Sequence, residues 1–126
     1  MERLKSKIVL IIDDDERNIF ALKSYLETFE MNIEVAKNGE EGISLLQSGI
    51  KVNIILLDMM MPIMDGYETL NLLKQDEALK QIPVIAVTAK AMKGDKEKCL
   101  EAGAWDYVSK PLDLNELIDK IKRWAL

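Results

Sequence analysis

The 126-residue chain contains no histidine, and that absence removes more chemistry than any other feature of its composition. Without an imidazole there can be no Ser-His-Asp triad, no zinc centre built on histidine ligands and no phosphoryl group carried on a ring nitrogen. The single cysteine, Cys99, cannot close an internal disulfide or supply a thiolate cage, so a reducing cytoplasm is the expected compartment. What metal chemistry remains is that of hard cations held by oxygen, Mg²⁺ or Ca²⁺. No apolar run approaches the roughly 20 residues of a membrane span, and the polar start Met1–Lys7 is not a signal peptide. An excess of basic charge is missing too: 17 Lys and Arg against 22 Asp and Glu leave a net charge of −5. That balance argues against nucleic acid as a direct partner, because phosphate backbones require a basic face. Linkers, repeats and low-complexity stretches are likewise absent.

What is present fits one soluble globular domain spanning residues 1–126, with 48% hydrophobic and 31% charged residues and a length sufficient for one sizeable core. Short apolar runs alternate with helix-period segments from end to end, the signature of βαβ units around a parallel sheet. Strand candidates are Ile8–Ile12, Ile33–Ala36, Ile54–Leu57, Val84–Val87 (opened by Gln81-Ile82-Pro83) and a short strand centred on Tyr107–Val108. The unbroken apolar run Ile54–Leu57 implies burial on both faces. Between the strands, Arg17–Phe29 places Phe20, Leu22, Leu26 and Phe29 near helical spacing. Asn38, with Glu41 three residues on, caps a helix through Gln47, and a Pro62–Gly66 loop leads into a helix over about Gly66–Lys74. Lys96–Ala102 belongs to a helix closed by Gly103. Asp113, with Glu116 three positions later, caps a last helix whose Leu117, Ile118, Ile121 and Trp124 form an apolar stripe. The expected fold is therefore α/β, a doubly wound (βα)5 domain with a five-stranded parallel sheet in the flavodoxin-like order 2-1-3-4-5.

Four of the apolar runs end in a polar residue suited to phosphate chemistry: Asp13-Asp14-Asp15, Asp58, Thr88, and Ser109-Lys110. Ligands of open α/β sheets sit outside the carboxyl ends of the strands. Taken singly, each residue has an ordinary explanation: a solvated cap for Asp13–Asp15, a strand-end Asp, a β-branched strand Thr, a surface Lys. Their joint placement at four strand ends does not. Gathered carboxylates repel by about 4 kcal/mol per pair at 4 Å in an intermediate dielectric, so they stay ionised together only around a cation. That points to a divalent-ion site with an aspartate available to accept a group.

The runs Ile11-Ile12-Asp13-Asp14-Asp15, Leu56-Leu57-Asp58-Met59-Met60-Met61-Pro62-Ile63-Met64-Asp65-Gly66, Val87-Thr88-Ala89 and Tyr107-Val108-Ser109-Lys110-Pro111 resemble the response-regulator receiver domain of two-component signalling. The resemblance covers about Lys7 to Trp124. It implies that Asp58 is the phosphoacceptor and that Mg²⁺ is ligated by Asp14, Asp58 and the backbone carbonyl of Met60, with Asp13 holding a metal-bound water. It implies that Lys110, aimed inward by a cis bond before Pro111, pairs with a phosphoryl oxygen. Thr88 would then swing to the phosphoryl group, Tyr107 would turn from outward to inward, and the face of helix 4, strand 5 and helix 5 would change. Met60 and Lys90, each two residues beyond a site residue, are expected to tune phosphoryl lifetime. Met60 offers no hydrogen bond to a hydrolytic water, so hydrolysis is expected to be slow for the family.

The implied partner is a histidine kinase or histidine phosphotransfer domain acting as phosphodonor. The segment Ala89–Ala102 looks like receivers attached to hybrid histidine kinases, so the chain fits the cytoplasmic part of a membrane-bound hybrid kinase as well as a free cytoplasmic protein. No effector domain is expected, and DNA binding with it is not expected. Trp105, Trp124 and the last-helix stripe are expected to be core rather than interface, although a homodimer through that face stays open. The Met59–Met61 and Met64 cluster reads as packing, with an exposed methionine able to meet a donor helix. Three rival readings fit the residues less well. An aspartate-nucleophile phosphohydrolase usually carries a second acid where Met60 stands. A flavin-binding domain of the same topology needs a Ser/Thr/Gly-rich loop where Asp13–Glu16 would repel anions. A receiver-like module that is never phosphorylated is disfavoured by the completeness of the site.

Overall fold

The computed structural model describes residues 4–61, 64–88 and 95–125. Strands β1 (Ile8–Ile12), β2 (Asn32–Ala36), β3 (Ile54–Asp58), β4 (Val84–Thr88) and β5 (Asp106–Ser109) alternate with helices α1 (Glu16–Glu27), α2 (Gly39–Gln47), α3 (Gly66–Gln75), α4 (Asp95–Ala102) and α5 (Leu114–Trp124). All ladders are parallel, in the order β2-β1-β3-β4-β5. None of the helices is long and apolar enough to cross a membrane among the described residues.

Alternation along the central strands sorts the core into two layers, because successive side chains point to opposite faces. Val9, Ile11, Ile54, Leu56, Ile85 and Val87 pack with Ile19, Leu22 and Leu26 of α1 and Leu117, Ile118 and Ile121 of α5. Leu10, Ile12, Ile55, Leu57, Val84 and Ala86 pack with Leu46 of α2, Leu70 and Leu73 of α3 and Cys99 of α4. Both faces of β3 are therefore covered, which is why its apolar run is continuous. Truncating one of these leucines to alanine removes about 2–5 kcal/mol of stability.

The starts of α2, α3 and α5 carry side-chain caps, of which those at Asn38 and Asp113 are expected from the sequence. Asn38 accepts the Glu41 N–H at 2.8 Å, Asp65 accepts that of Glu68 at 2.9 Å, and Asp113 accepts those of Asn115 and Glu116. Each satisfies a donor left unpaired in the first turn. α4 ends at Gly103, whose φ of +120° favours glycine.

Three expectations need correction. Phe20 is 72% exposed; the buried stripe of α1 is Ile19, Leu22 and Leu26, one residue out of phase, and Phe29 lies past the helix end against Tyr25. Gln81-Ile82-Pro83 does not belong to the fourth strand, which starts at Val84, because Ile82 instead closes a turn by donating to Leu79. Trp124 is half-buried against the α1/α5 layer, whereas Trp105 is exposed at 38%, so only the first sits in the core.

Candidate functional site at the carboxyl edge of the sheet

Because the strands are parallel, their carboxyl ends share one edge, and β1 and β3 are neighbours there although not consecutive in sequence. The connections from these two strands leave toward opposite faces and open a crevice between them. Asp13 follows β1, Asp58 ends β3, Thr88 ends β4, and Ser109 ends β5 with Lys110 next.

The carboxylates of Asp13, Asp14 and Asp58 each bring an oxygen within 4.8 Å of the others. Local geometry fixes their roles differently. Asp13 is buried, with Oδ1 accepting the Asp15 N–H at 2.8 Å and Oδ2 accepting the Asn18 amide at 3.0 Å. Asp14 opens to solvent, and Asp15 turns away to cap α1 by accepting the Arg17 N–H. The ordinary reading of the acidic run thus holds for its third member only. Asp58 is buried; its Oδ1 accepts the Met60 N–H at 3.0 Å, and the Lys110 ammonium stands 3.9 Å from its Oδ2. The Lys110–Pro111 bond is cis.

Burial pushes the Asp58 carboxyl up to about 6. The Met60 N–H works against that rise, Asp13 adds to it, Lys110 opposes it and Asp14 adds again. One ammonium does not balance three acids. The donor set is anionic, all oxygen and open on the Asp14 side, which fits a hard divalent cation that keeps part of its hydration. Asn18, which orients Asp13, was not singled out from the sequence; its position one turn into a helix that begins beside the acidic run was the available signal.

The remaining residues are placed as follows. Thr88 is buried, and its hydroxyl donates to the Val108 carbonyl at 3.4 Å. Tyr107 is half-buried against the α2–α4 layer. Met59 and Met61 are buried, Met64 half-buried, and Met60 is 66% exposed, in a cleft shared with Asp14, Asp65 and Tyr67. Lys90, and Pro62 and Ile63 of the expected loop, lie outside the described residues.

The profile of the response regulator receiver domain matches residues 9–122. This chain belongs to the response-regulator receiver family. The receiver domain is 36% identical over 118 residues to the polar-differentiation response regulator DivK of Brucella anthropi, covering 94% of this chain and 95% of that protein. It is similar in structure to the Saccharomyces cerevisiae Ssk1 receiver domain, solved with the histidine phosphotransfer protein Ypd1 (28% identity, TM-score 0.88, 97% of this chain and 90% of that one). It is also similar to the receiver domain of a Pseudomonas aeruginosa sensor histidine kinase, solved with a magnesium ion in its active site cleft (30% identity, TM-score 0.83, 95% and 98% covered). The chain is thus a signalling switch of the two-component or phosphorelay type. In this receiver domain the crevice between β1 and β3 is where four of the residues singled out from the sequence, Asp13, Asp14, Asp58 and Lys110, converge.

Proposed function

We propose that residues 1–126 act as one receiver unit that takes a phosphoryl group onto Asp58 from the phosphohistidine of a histidine kinase or histidine phosphotransfer domain. The observation that supports this most is the pairing of opposites at Asp58. Its carboxylate is buried among acids that favour a bound cation, yet it faces a lysine that can receive the arriving negative charge. An Asp58 oxygen attacks phosphorus, the phosphorus–nitrogen bond of the donor breaks, and the imidazole leaves to take up a proton. Hydrolysis of the resulting acyl phosphate returns the carboxylate and inorganic phosphate.

The side chains promote these steps by position and charge. Asp13, Asp14, Asp58 and the carbonyl of Met60 would hold Mg²⁺, which supplies charge neutralisation when bound. Lys110 meets a phosphoryl oxygen as a compact point charge. Thr88 exchanges its bond to Val108 for one to the phosphoryl group, and Tyr107 follows into the space released, altering the α4–β5–α5 face. Met60 presents a thioether with no hydrogen to orient water, so the acyl phosphate persists.

The test is transfer of radiolabel from a phosphohistidine donor. Label that moves to the receiver, is released by hydroxylamine as an acyl phosphate must be, and is absent from Asp58→Asn supports the reading. Label that resists hydroxylamine, as a phosphate ester on Ser109 or Thr88 would, refutes it.

A further inference from the structure

α5 meets β5 through a cluster that the carboxylate site does not use. The Lys120 ammonium donates to the Tyr107 carbonyl at 2.5 Å and pairs with Asp106 Oδ1 at 3.3 Å and Glu116 Oε1 at 3.8 Å. The same nitrogen lies 5.4 Å from the centroid of the Tyr107 ring, within the reach of a cation–π contact. Its side chain is only 24% exposed, which strengthens such a contact relative to one in open water. Asp106 is held in turn by the Trp124 indole N–H at 3.0 Å, and Trp124 packs edge-on against Trp105 with centroids 5.4 Å apart. Burial pushes the Asp106 carboxyl up, but the Trp124, Tyr107 and Lys120 hydrogen bonds outweigh it and leave it below its ordinary value.

The contacts of Lys120 differ in what they depend on. Those to the Tyr107 carbonyl, Asp106 and Glu116 survive any rotation of the Tyr107 side chain. The contact with the ring does not. Turning the ring away removes the aromatic face from a cation that is three-quarters out of water, and nothing among its other partners replaces it. Lys120 therefore favours one ring position over another, which a uniformly stabilising residue would not do. In the arrangement it favours, the Thr88 hydroxyl is turned to Val108 on the neighbouring strand.

We propose that Lys120 is a positioning residue for the switch: it anchors the Tyr107 ring in the arrangement in which Thr88 faces Val108, and so sets how readily phosphorylation reaches the α4–β5–α5 face. The proposal rests on the roles given above to Thr88 and Tyr107. Its consequence is that the lysine opposes activation, although it stabilises the fold.

Two measurements on the full chain test it. In protein labelled with 3-fluorotyrosine, the Tyr107 resonance is compared between the parent, Lys120→Met, Lys120→Arg and Lys120→Gln. Met keeps the aliphatic stem, Arg keeps the cation, and Gln keeps a donor for the carbonyl should Met fold poorly. The Tyr107 resonance should move and average in the Met and Gln proteins and return in the Arg protein. An unmoved resonance overturns the proposal. Titration with Mg²⁺ and beryllofluoride, a phosphoryl analogue, then closes a double-mutant cycle with Tyr107→Leu. Lys120→Met should tighten analogue binding about fivefold when Tyr107 is present and leave it unchanged when Leu replaces it. Equal tightening in both backgrounds overturns the ring contact as the cause. If the resonance moves as expected but Tyr107→Leu alone leaves analogue binding unaltered, the anchoring stands and the switch role of Tyr107 falls.

Discussion

Replacing Asp58 by asparagine should make the metal-free protein more stable. The carboxyl titrates at about 6 in the folded chain against an ordinary value of 3.8. The folded state therefore binds the proton more tightly than the unfolded one. Between those two values it carries more protons, so stability falls as pH rises through the window and levels off above about 6. The integrated loss at neutral pH is on the order of 3 kcal/mol. Asparagine removes the charge and keeps an oxygen for the Met60 N–H. In EDTA at about pH 7.5 the variant should gain on the order of 2–3 kcal/mol, or roughly 10 °C in Tm for a domain of this size. The gap should shrink toward about pH 4, where the parent carboxyl is protonated too. It should also shrink with saturating Mg²⁺, which binds the parent's three carboxylates more tightly than the two that the variant keeps. Calorimetric melts across pH, with and without metal, read all three effects. An asparagine variant no more stable than the parent at neutral pH in EDTA, or a gap indifferent to pH, refutes the argument that burial and like charge dominate at Asp58.

Other expectations concern the loop after β3 and the groove beside Lys110. A Cβ on Gly66 would lie 2.6 Å from the Met59 backbone, so Gly66→Ala should cost about 1–3 kcal/mol in urea melts; a neutral result would show that the loop holding Asp58 is looser than this packing implies. Met60→Asn should shorten the half-life of the phosphorylated form several-fold in a single-turnover decay assay, and an unchanged half-life would remove Met60 from lifetime control. Ala21 and Leu114 line a groove between α1 and the start of α5 that also includes Lys110. Ala21→Arg should therefore slow transfer from a phosphohistidine protein while leaving reaction with a small phosphodonor intact; equal effects on both would mean that the groove does not meet the donor.

The fold was legible because the central strands are buried on both faces and announce themselves as unbroken apolar runs, with polar residues only where a strand meets the crevice. Caps at Asn38 and Asp113 were legible for the same local reason, a short acceptor three residues before an exposed backbone N–H. Phe20 shows the limit of that method. Apolar character alone cannot say which of two adjacent helical positions faces the sheet, and Ile19 took the place assigned to the larger residue. At the site, the acids and lysine could be named from strand ends; Asn18 behind Asp13 carried only a weak local signal, five residues on in the first turn of the next helix, and Lys120 behind Tyr107 carried none, since packing of α5 on β5 brings the two together. The Glu116–Lys120 spacing, an ordinary surface pair on a helix, gave no hint that the lysine turns inward to β5.

Intact-mass analysis after incubation with acetyl phosphate, with and without Mg²⁺ and beside Asp58→Asn, tests the central claim most directly. The account predicts the mass of one added phosphoryl group in the parent only when Mg²⁺ is present, with fragmentation assigning it to Asp58, and none in the variant. Addition that ignores the metal, or that persists in Asp58→Asn, would contradict it.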